Sequence, residues 1–486
     1  MNADKLILAT LILPIFGVIG IVLARRWPNL REGVTLSTAV LLFIAVLRLL
    51  EPVSAGLRPG IELLSPIPGL PIAFQIEPLG MLFALIASGL WIVNSIYSIG
   101  YMRGNKETRQ TRFYVCFALA IGAAIGIAFS ANLLTLFLFY EVLTLITYPL
   151  VTHSGTVQAK RGGRVYLAIL MGTSVLFLLP AVVYTWHVAG TTDFRPGGIL
   201  PTNLTPGTVT ILLALFMFGI GKAALMPFHR WLPAAMVAPT PVSALLHAVA
   251  VVKAGVFAVV KVVIYVFGLD IIAGSTNWLI ALSGFTIIVA SVVALNADNL
   301  KRRLAYSTVS QLSYVILAVA VLAPLSVIGA ALHVAAHALG KITLFFAAGA
   351  IYTAAHKTEV SQLNGIGRRM PWTMAAFSIG TLSMIGLPPA AGFVSKWYMV
   401  SGAMLQEQWF ALAVILISTL LNASYFLPIL HRAFFRPLSA EAMAHPHGEA
   451  PILMVAALTL TAVGTVALFF FPDVPLALAR QLVETP

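Results

Sequence analysis

The sequence predicts an all-α integral membrane protein of about 14 spanning helices, on three observations. Of 486 residues, 60% are hydrophobic and only 9% charged, with a mean hydropathy of +0.97. A soluble domain holds about 25% charged residues, so no aqueous core could absorb this chain. Apolar blocks near the roughly 20 residues of a bilayer crossing fill most of it. The lysines and arginines crowd into alternate loops between those blocks. That placement also argues against a nucleic-acid reading of the net charge of +13, because no folded basic domain carries it.

In chain order the blocks are 5–24, 33–50, 77–101, 113–130, 133–152, 164–189, 207–226, 241–267, 277–296, 305–323, 325–355, 373–400, 409–431 and 451–471. The first, Leu6 to Leu23, lacks a basic flank beyond Lys5 and a small-residue cleavage site. It is expected to be a membrane helix and not a signal peptide. With the N-terminus outside, 19 of the 29 lysines and arginines fall in inward loops, five in outward segments and five inside spans. This is a strong positive-inside asymmetry, and an even number of spans then places both termini outside.

The connecting segments 52–76, 190–206, 356–371 and 432–450 are rich in Pro, Gly and charge and read as loops. His445 and His447, in the last of them, read as solvated loop residues. The one cysteine, Cys116, lies in an apolar block, which excludes an internal disulfide and a cysteine-built metal centre. No cofactor or metal site is expected.

Within the spans stand residues the bilayer penalises. Lys222, Lys253, Lys261, Lys341 and Lys396 are joined by Glu141 and by His247, His333 and His337. A lysine at mid-membrane costs at least about 2.5–3.5 kcal/mol and normally faces a protein interior or a watery cavity. Lys261, toward the outer end of its span, is the one expected to serve equally well as an interfacial anchor. His333, His337 and Lys341 recur every four residues and form one helical stripe. His247 and Lys253 are six apart and point to different sides. A packed polar seam is the plain alternative for such a stripe. The chemistry favours proton transfer: a lysine removed from water gives up its proton near neutrality, a carboxylate nearby restores its charge, and histidine relays between them.

Two spans are interrupted beside their lysines. Lys222 lies five residues before Pro227, and Lys396 follows Pro388 and Pro389. Broken helices at matching places in two halves point to an inverted-repeat transporter. The expected units are 1–110, a three-helix segment; 111–270, spans 4–8; 271–432, spans 9–13, inverted relative to the first; and 433–486, helix 14 and a tail. GIGK (219–222) does not complete a phosphate loop, because Phe216 replaces the first glycine and Ala223 follows the lysine.

The stretch GKAALMPFHRWLPAAMVAPTPVSALLHAVAVVKAG resembles the signature of the antiporter-like subunits of respiratory complex I, Mrp cation/proton antiporters and membrane-bound hydrogenases. RRLAYSTVSQLSYV, HALGKITLFFAAGAIY and GLPPAAGFVSKW match as well, and the resemblance covers about residues 75–430. It implies 14 spans in two inverted five-helix repeats. It implies that Glu141 pairs with Lys222, that Lys253 with nearby His247 is the eighth-helix relay, and that His333, His337 and Lys341 continue it. Lys396 would face the outer half-channel. Ala336 and Gly340 stand where the family commonly has Asn and a bulky residue. The surroundings of Lys253 and Lys341 are most similar to the D-type component of Mrp antiporters.

The resemblance therefore implies a proton-translocating subunit of an Mrp-type Na⁺(K⁺)/H⁺ antiporter, not an enzyme by itself. It would sit in a bacterial or archaeal cytoplasmic membrane with other membrane subunits as partners. Two alternatives stand beside it: the same fold in complex I or a hydrogenase, and a free-standing solute carrier or structural subunit.

Overall fold

The computed structural model describes residues 3–438 and 448–484, so His445 and His447 lie outside the described residues. Helices α1 (Ala3–Leu23) and α2 (Pro28–Ser54) lead to a hairpin of β1 (Gly60–Ile67) and β2 (Leu70–Gln75), then to α3 (Pro78–Gly104). Next come α4 (Gln110–Ala128), α5 (Leu133–Val151), α6 (Val157–Thr173), α7 (Leu179–Ala189) and α8 (Pro206–Gly219). A broken stretch with the short α9 (Trp231–Ala234) connects to α10 (Thr240–Ala244) and α11 (Val251–Val262). The rest comprises α12 (Asn277–Asn296), α13 (Leu300–Ala320), α14 (Pro324–Ala355), α15 (Pro371–Ile385), α16 (Ala391–Leu405), α17 (Trp409–Phe435), α18 (Ile452–Phe470) and α19 (Asp473–Glu484).

Local sequence sets these boundaries. Proline stands in the first turn of α2, α3, α8, α14 and α15, where its missing N–H costs nothing. Asn132, Thr156, Thr205 and Asn299 cap α5, α6, α8 and α13 with side-chain oxygens. The α10–α11 segment and α14 form the buried centre, and α1, α2 and α17 carry exposed apolar faces. An apolar outer surface around a polar-seamed interior is what a lipid solvent demands.

Eleven helices among the described residues are long and apolar enough to cross a bilayer. The expectation of about 14 adds α8, α13 and the α15–α16 pair to these. Each misses that measure for a physical reason: α8 has 14 residues before its break, α13 carries Lys301, Arg302, Arg303 and a row of hydroxyls, and α15 and α16 have 15 residues each. Both interruptions fall where the prolines place them.

Two elements depart from the all-α, loop-and-tail expectation. Segment 52–76 is not merely a loop: β1 and β2 pair antiparallel, Gly60 opposite Gln75 and Ile61 opposite Phe74, around a turn with Gly69 at φ +79°. Pro68-Gly69 between two apolar runs is the turn chemistry that marks it. The tail forms α19, whose Leu478, Ala479 and Leu482 are buried. Its Gln481 donates to the Ser54 carbonyl and accepts from Arg58.

Candidate functional site

All five intramembrane lysines are buried, at 5% exposure or less. Lys222 sits in the turn Gly221–Ala223 just after α8. Its ammonium donates to the Tyr140 carbonyl at 2.8 Å and to Thr144 Oγ1 at 2.6 Å. It also lies 3.1 Å from the centre of the Tyr140 ring. The Lys222 backbone N–H donates to the Tyr140 hydroxyl at 2.9 Å, and the Trp231 indole donates to the Gly221 carbonyl. The broken backbone is thus satisfied by side chains. It also abuts α11: a Cβ on Gly255 would collide with Ala223 N and the Lys222 carbonyl carbon. Glycine there lets the break reach the helix that carries Lys253, two residues away.

Lys253 Nζ lies 2.6 Å from His337 Nδ1, joining α11 to α14. The contact suits either proton position. A charged lysine donates to a bare Nδ1, and a neutral amine accepts from Nδ1–H. His247 meets Thr308 through Nδ1 at 3.0 Å, while Nε2 of His247 and of His337 have no hydrogen-bond partner in the protein. His247 and Lys253, six residues apart, thus reach different partners, Thr308 and His337.

From His337 the stripe on α14 runs both ways. The ring centres of His337 and His333 are 5.9 Å apart. His333 meets Ser395 Oγ at 2.9 Å and Gln311 Oε1 at 3.1 Å. In the other direction Lys341 donates to Ser307 Oγ at 2.7 Å and the Leu304 carbonyl at 3.1 Å. Ser307 in turn accepts from the Tyr425 hydroxyl at 3.0 Å, and that hydroxyl is hydrogen-bonded to Asn422.

Both arms end on one atom. The Met384 carbonyl accepts from Gln311 at 3.3 Å, from Asn422 at 3.3 Å and from the Lys396 ammonium at 3.2 Å. Met384 lies in the last turn of α15, where carbonyls have no helical partner and the helix dipole is negative. Lys396 adds the Ile385 carbonyl at 2.8 Å and lies 4.8 Å from the Tyr314 ring centre. Gly386, at φ +89°, turns the chain here; the break continues through Pro388 and Pro389. A Cβ on Gly340 would lie 2.5 Å from Met384 Cε and 3.1 Å from Ser383 Oγ, so a side chain there would have to displace the Met384 side chain.

Two expectations are corrected. Glu141 is not in contact with Lys222: no ion pair joins them, and neither carboxylate oxygen has a hydrogen-bond partner in the protein. Its neighbours Leu138, Val142 and Leu145 on α5 are exposed, whereas both carboxylate oxygens of Glu141 are buried. Lys261 is not an interfacial anchor. It is 1% exposed, ion-paired to Glu77 at 2.7 Å, and donates to the Ser130 carbonyl at 2.6 Å.

The residues that hold the row together are not themselves singled out by sequence. Tyr140, Thr144, Ser307, Thr308, Gln311, Asn422 and Tyr425 all carry neutral polar groups that bilayer helices commonly contain. One signal was present: Ser307, Gln311 and Tyr314 follow each other at steps of four and three on α13, and Ser418, Asn422 and Tyr425 do the same on α17.

The sequence profile of the family described as "NADH:quinone oxidoreductase/Mrp antiporter, TM" matches residues 130–422. The N subunit of NADH-quinone oxidoreductase from Desulforudis audaxviator is 33% identical over 419 residues, 83% of this chain and 82% of its own length. The A-type component of a Na(+)/H(+) antiporter from Alkalihalophilus pseudofirmus is 29% identical over 86% of this chain, which spans 54% of that longer protein. In the solved Mrp complex from Dietzia sp. DQ12-45-1b, one chain superposes with a TM-score of 0.85 at 20% identity, covering 99% of this chain and 97% of that one. That likeness establishes the shared fold.

Proposed function

The chain belongs to the NADH:quinone oxidoreductase/Mrp antiporter membrane family, and from that premise we propose that it moves protons along the buried row Lys222, Lys253, His337 and Lys396. Its relatives are antiporter-like membrane subunits of multisubunit complexes. The single observation that carries the reading is the 2.6 Å contact between Lys253 and His337. A lysine and an imidazole that can exchange donor and acceptor roles form a proton-transfer couple without rearrangement.

Along the row, Glu141 sets the charge state of Lys222 through space, from a helix whose outer face is open to a neighbouring protein of the complex. A proton leaving Lys222 passes through ordered water to Lys253 and on to His337. Unpartnered buried nitrogens such as His337 Nε2 are the atoms to which such water bonds. His333 with Gln311, and Lys341 with Ser307, Tyr425 and Asn422, are two arms converging on the Met384 carbonyl and Lys396. Lys396 exchanges with the side that the basic-loop asymmetry marks as outer. The inverted five-helix repeat is supported by one parallel: Lys222 and Lys396, each beside a helix break, both lie over a tyrosine ring, Tyr140 on α5 and Tyr314 on α13.

For the assembly, we place the chain in an Mrp-type Na⁺(K⁺)/H⁺ antiporter, with the cation left to other subunits. Relatedness to a component of an Na(+)/H(+) antiporter and the surroundings of Lys253 and Lys341 support this. The second reading, a quinone-reducing respiratory complex, is favoured by the NADH-quinone oxidoreductase relative, which matches over most of both chains. Mass spectrometry of the copurified native complex separates them: flavin- or iron–sulfur-bearing partners select the second. Lys222→Ala and Glu141→Ala in the assembled complex test the shared core, and retained gradient-coupled transport in both overturns it.

A further inference from the structure

The buried Lys261–Glu77 pair lies apart from the row just described. Lys261 is on α11, eight residues beyond Lys253, about 12 Å along the axis. Glu77 immediately precedes α3. The ammonium side chain is 1% exposed and the carboxylate side chain 9%. The carboxylate is therefore the member nearer water.

A cleft of about 510 Å³ opens beside the hairpin, with Arg58, Glu62, Asp193 and Arg195 in its wall and Gln75, two residues before Glu77, on its lining. Phe194 lines the same cleft, and its ring centre is 4.2 Å from Lys261 Nζ. Ser130, whose carbonyl accepts from Lys261, is bridged to Phe74, and Phe74 and Ala131, the residue after Ser130, line the cleft. One layer of residues separates the charged pair from a polar opening.

Toward the interior the pair is stopped by a ring. Phe257 is four residues from both Lys253 and Lys261, on the face they share. Its ring centre lies 5.4 Å from Lys261 Nζ and 5.2 Å from the buried ring of Phe83. These two phenylalanines form an apolar plug between the two lysines.

We propose that Glu77–Lys261 is a second proton-loading site, open to the hairpin-side cleft and held off the Lys253 row by Phe257 and Phe83. When the Phe257 ring moves aside, the Lys261 ammonium gives its proton inward to Lys253 amine through water. Glu77 then takes one proton from the cleft and returns it to the Lys261 amine, restoring the ammonium–carboxylate pair. One proton has moved from the cleft to the row, and no other group has changed.

The inference rests on the proposed function, since it needs Lys253 to be a proton carrier. Its test uses a different readout. The native complex is kept in sealed membrane vesicles with no driving reaction, and the decay of an imposed pH gradient is followed with a trapped pH dye. Phe257→Ala is expected to speed the decay several-fold. Adding Lys261→Met or Glu77→Gln to it is expected to return the rate to that of the parent complex. Phe257→Leu, which disturbs packing less, is expected to give a smaller leak with the same dependence on Lys261. An unchanged decay in both Phe257 variants overturns the proposal. So does a leak that persists after Lys261→Met, which would mark loosened packing and not a proton route. Failure of the main row would instead appear as coupled transport surviving Lys222→Ala, an outcome the leak measurement does not depend on.

Discussion

Lys253 Nζ and His337 Nδ1, 84 residues apart in sequence, meet at 2.6 Å in the centre of the molecule. This contact bridges α11, which carries Lys253, to α14, which carries His337. Lys253→Arg keeps a positive charge and a donor at this place. A guanidinium does not release its proton in proteins. The variant is therefore expected to assemble normally and to lose transport roughly 100-fold, the scale of a positioned proton-transfer group. His337→Gln keeps a polar side chain that does not relay a proton, and the same loss is expected. The measurement is gradient-coupled transport per assembled complex in vesicles, with assembly checked on a native gel.

Tyr140 and Glu141 are adjacent on α5 but serve Lys222 differently, and the difference is measurable. The Tyr140 hydroxyl accepts the Lys222 backbone N–H. Tyr140→Phe leaves that buried donor unpaired, at a cost of about 1–3 kcal/mol. A lower melting temperature with transport largely kept is expected. Glu141→Gln removes charge and touches none of the bonds that hold Lys222. Its melting temperature is expected to stay near that of the parent, with transport lowered roughly tenfold, the effect of about 1.4 kcal/mol of lost charge stabilisation. Reversal of these two signatures would mean that Glu141 holds the break and Tyr140 tunes the amine.

These two residues also mark where the sequence could be read. The breaks were legible because Pro227, Pro388 and Pro389 interrupt long apolar blocks, and the α14 stripe because three titratable groups keep one helical period. Charged residues in lipid announce themselves by their cost. Their partners do not. Tyr140, Ser307 and the Met384 carbonyl carry no such cost, and a carbonyl is freed by geometry, not by residue type. Glu77 stands at the very start of its span, where a carboxylate is unremarkable. Only the folded chain brings it to Lys261, 184 residues later. The distance between Glu141 and Lys222 was likewise invisible, because the register of α5 against the break depends on tertiary packing.

Gly386 provides a test of the Met384 crossing. Its φ of +89° is unfavourable for any residue with a side chain, by about 1–2 kcal/mol. A Cβ there would also lie 2.6 Å from Lys396 Cδ. The lysine stem is flexible and can move, so the ammonium would be drawn away from the Met384 and Ile385 carbonyls. Gly386→Ala is expected to lower the melting temperature and to slow transport together. Gly386→Asn, better tolerated at positive φ, is expected to recover part of the stability but not the transport. Recovery of both would locate the defect in the backbone and not in Lys396.

His153, in the loop after α5, gives a pH signature independent of transport. Its ring is 2% exposed, and neither ring nitrogen has a hydrogen-bond partner in the protein. Burial holds its proton affinity below the usual value of 6.5, Arg112 adds to the effect, and a pull from the Thr108 backbone that exceeds the contribution of Arg109 offsets part of it. The Glu107 carboxylate, 3.9 Å away, does not reverse the sign; burial pushes its own carboxyl above the usual range. The folded state therefore prefers neutral His153. Above pH 6.5 both folded and unfolded chains hold it neutral, and its stability contribution is complete. As pH falls below 6.5 the unfolded chain takes up the proton first, and stability is lost until the folded histidine also titrates. The melting temperature of the complex should drop over that interval. His153→Phe keeps an aromatic ring beside Phe113 and removes the titration, so its melting temperature should fall less over the same interval. An equal fall in both proteins would assign the acid sensitivity to other groups, beginning with Glu107 and the buried lysines.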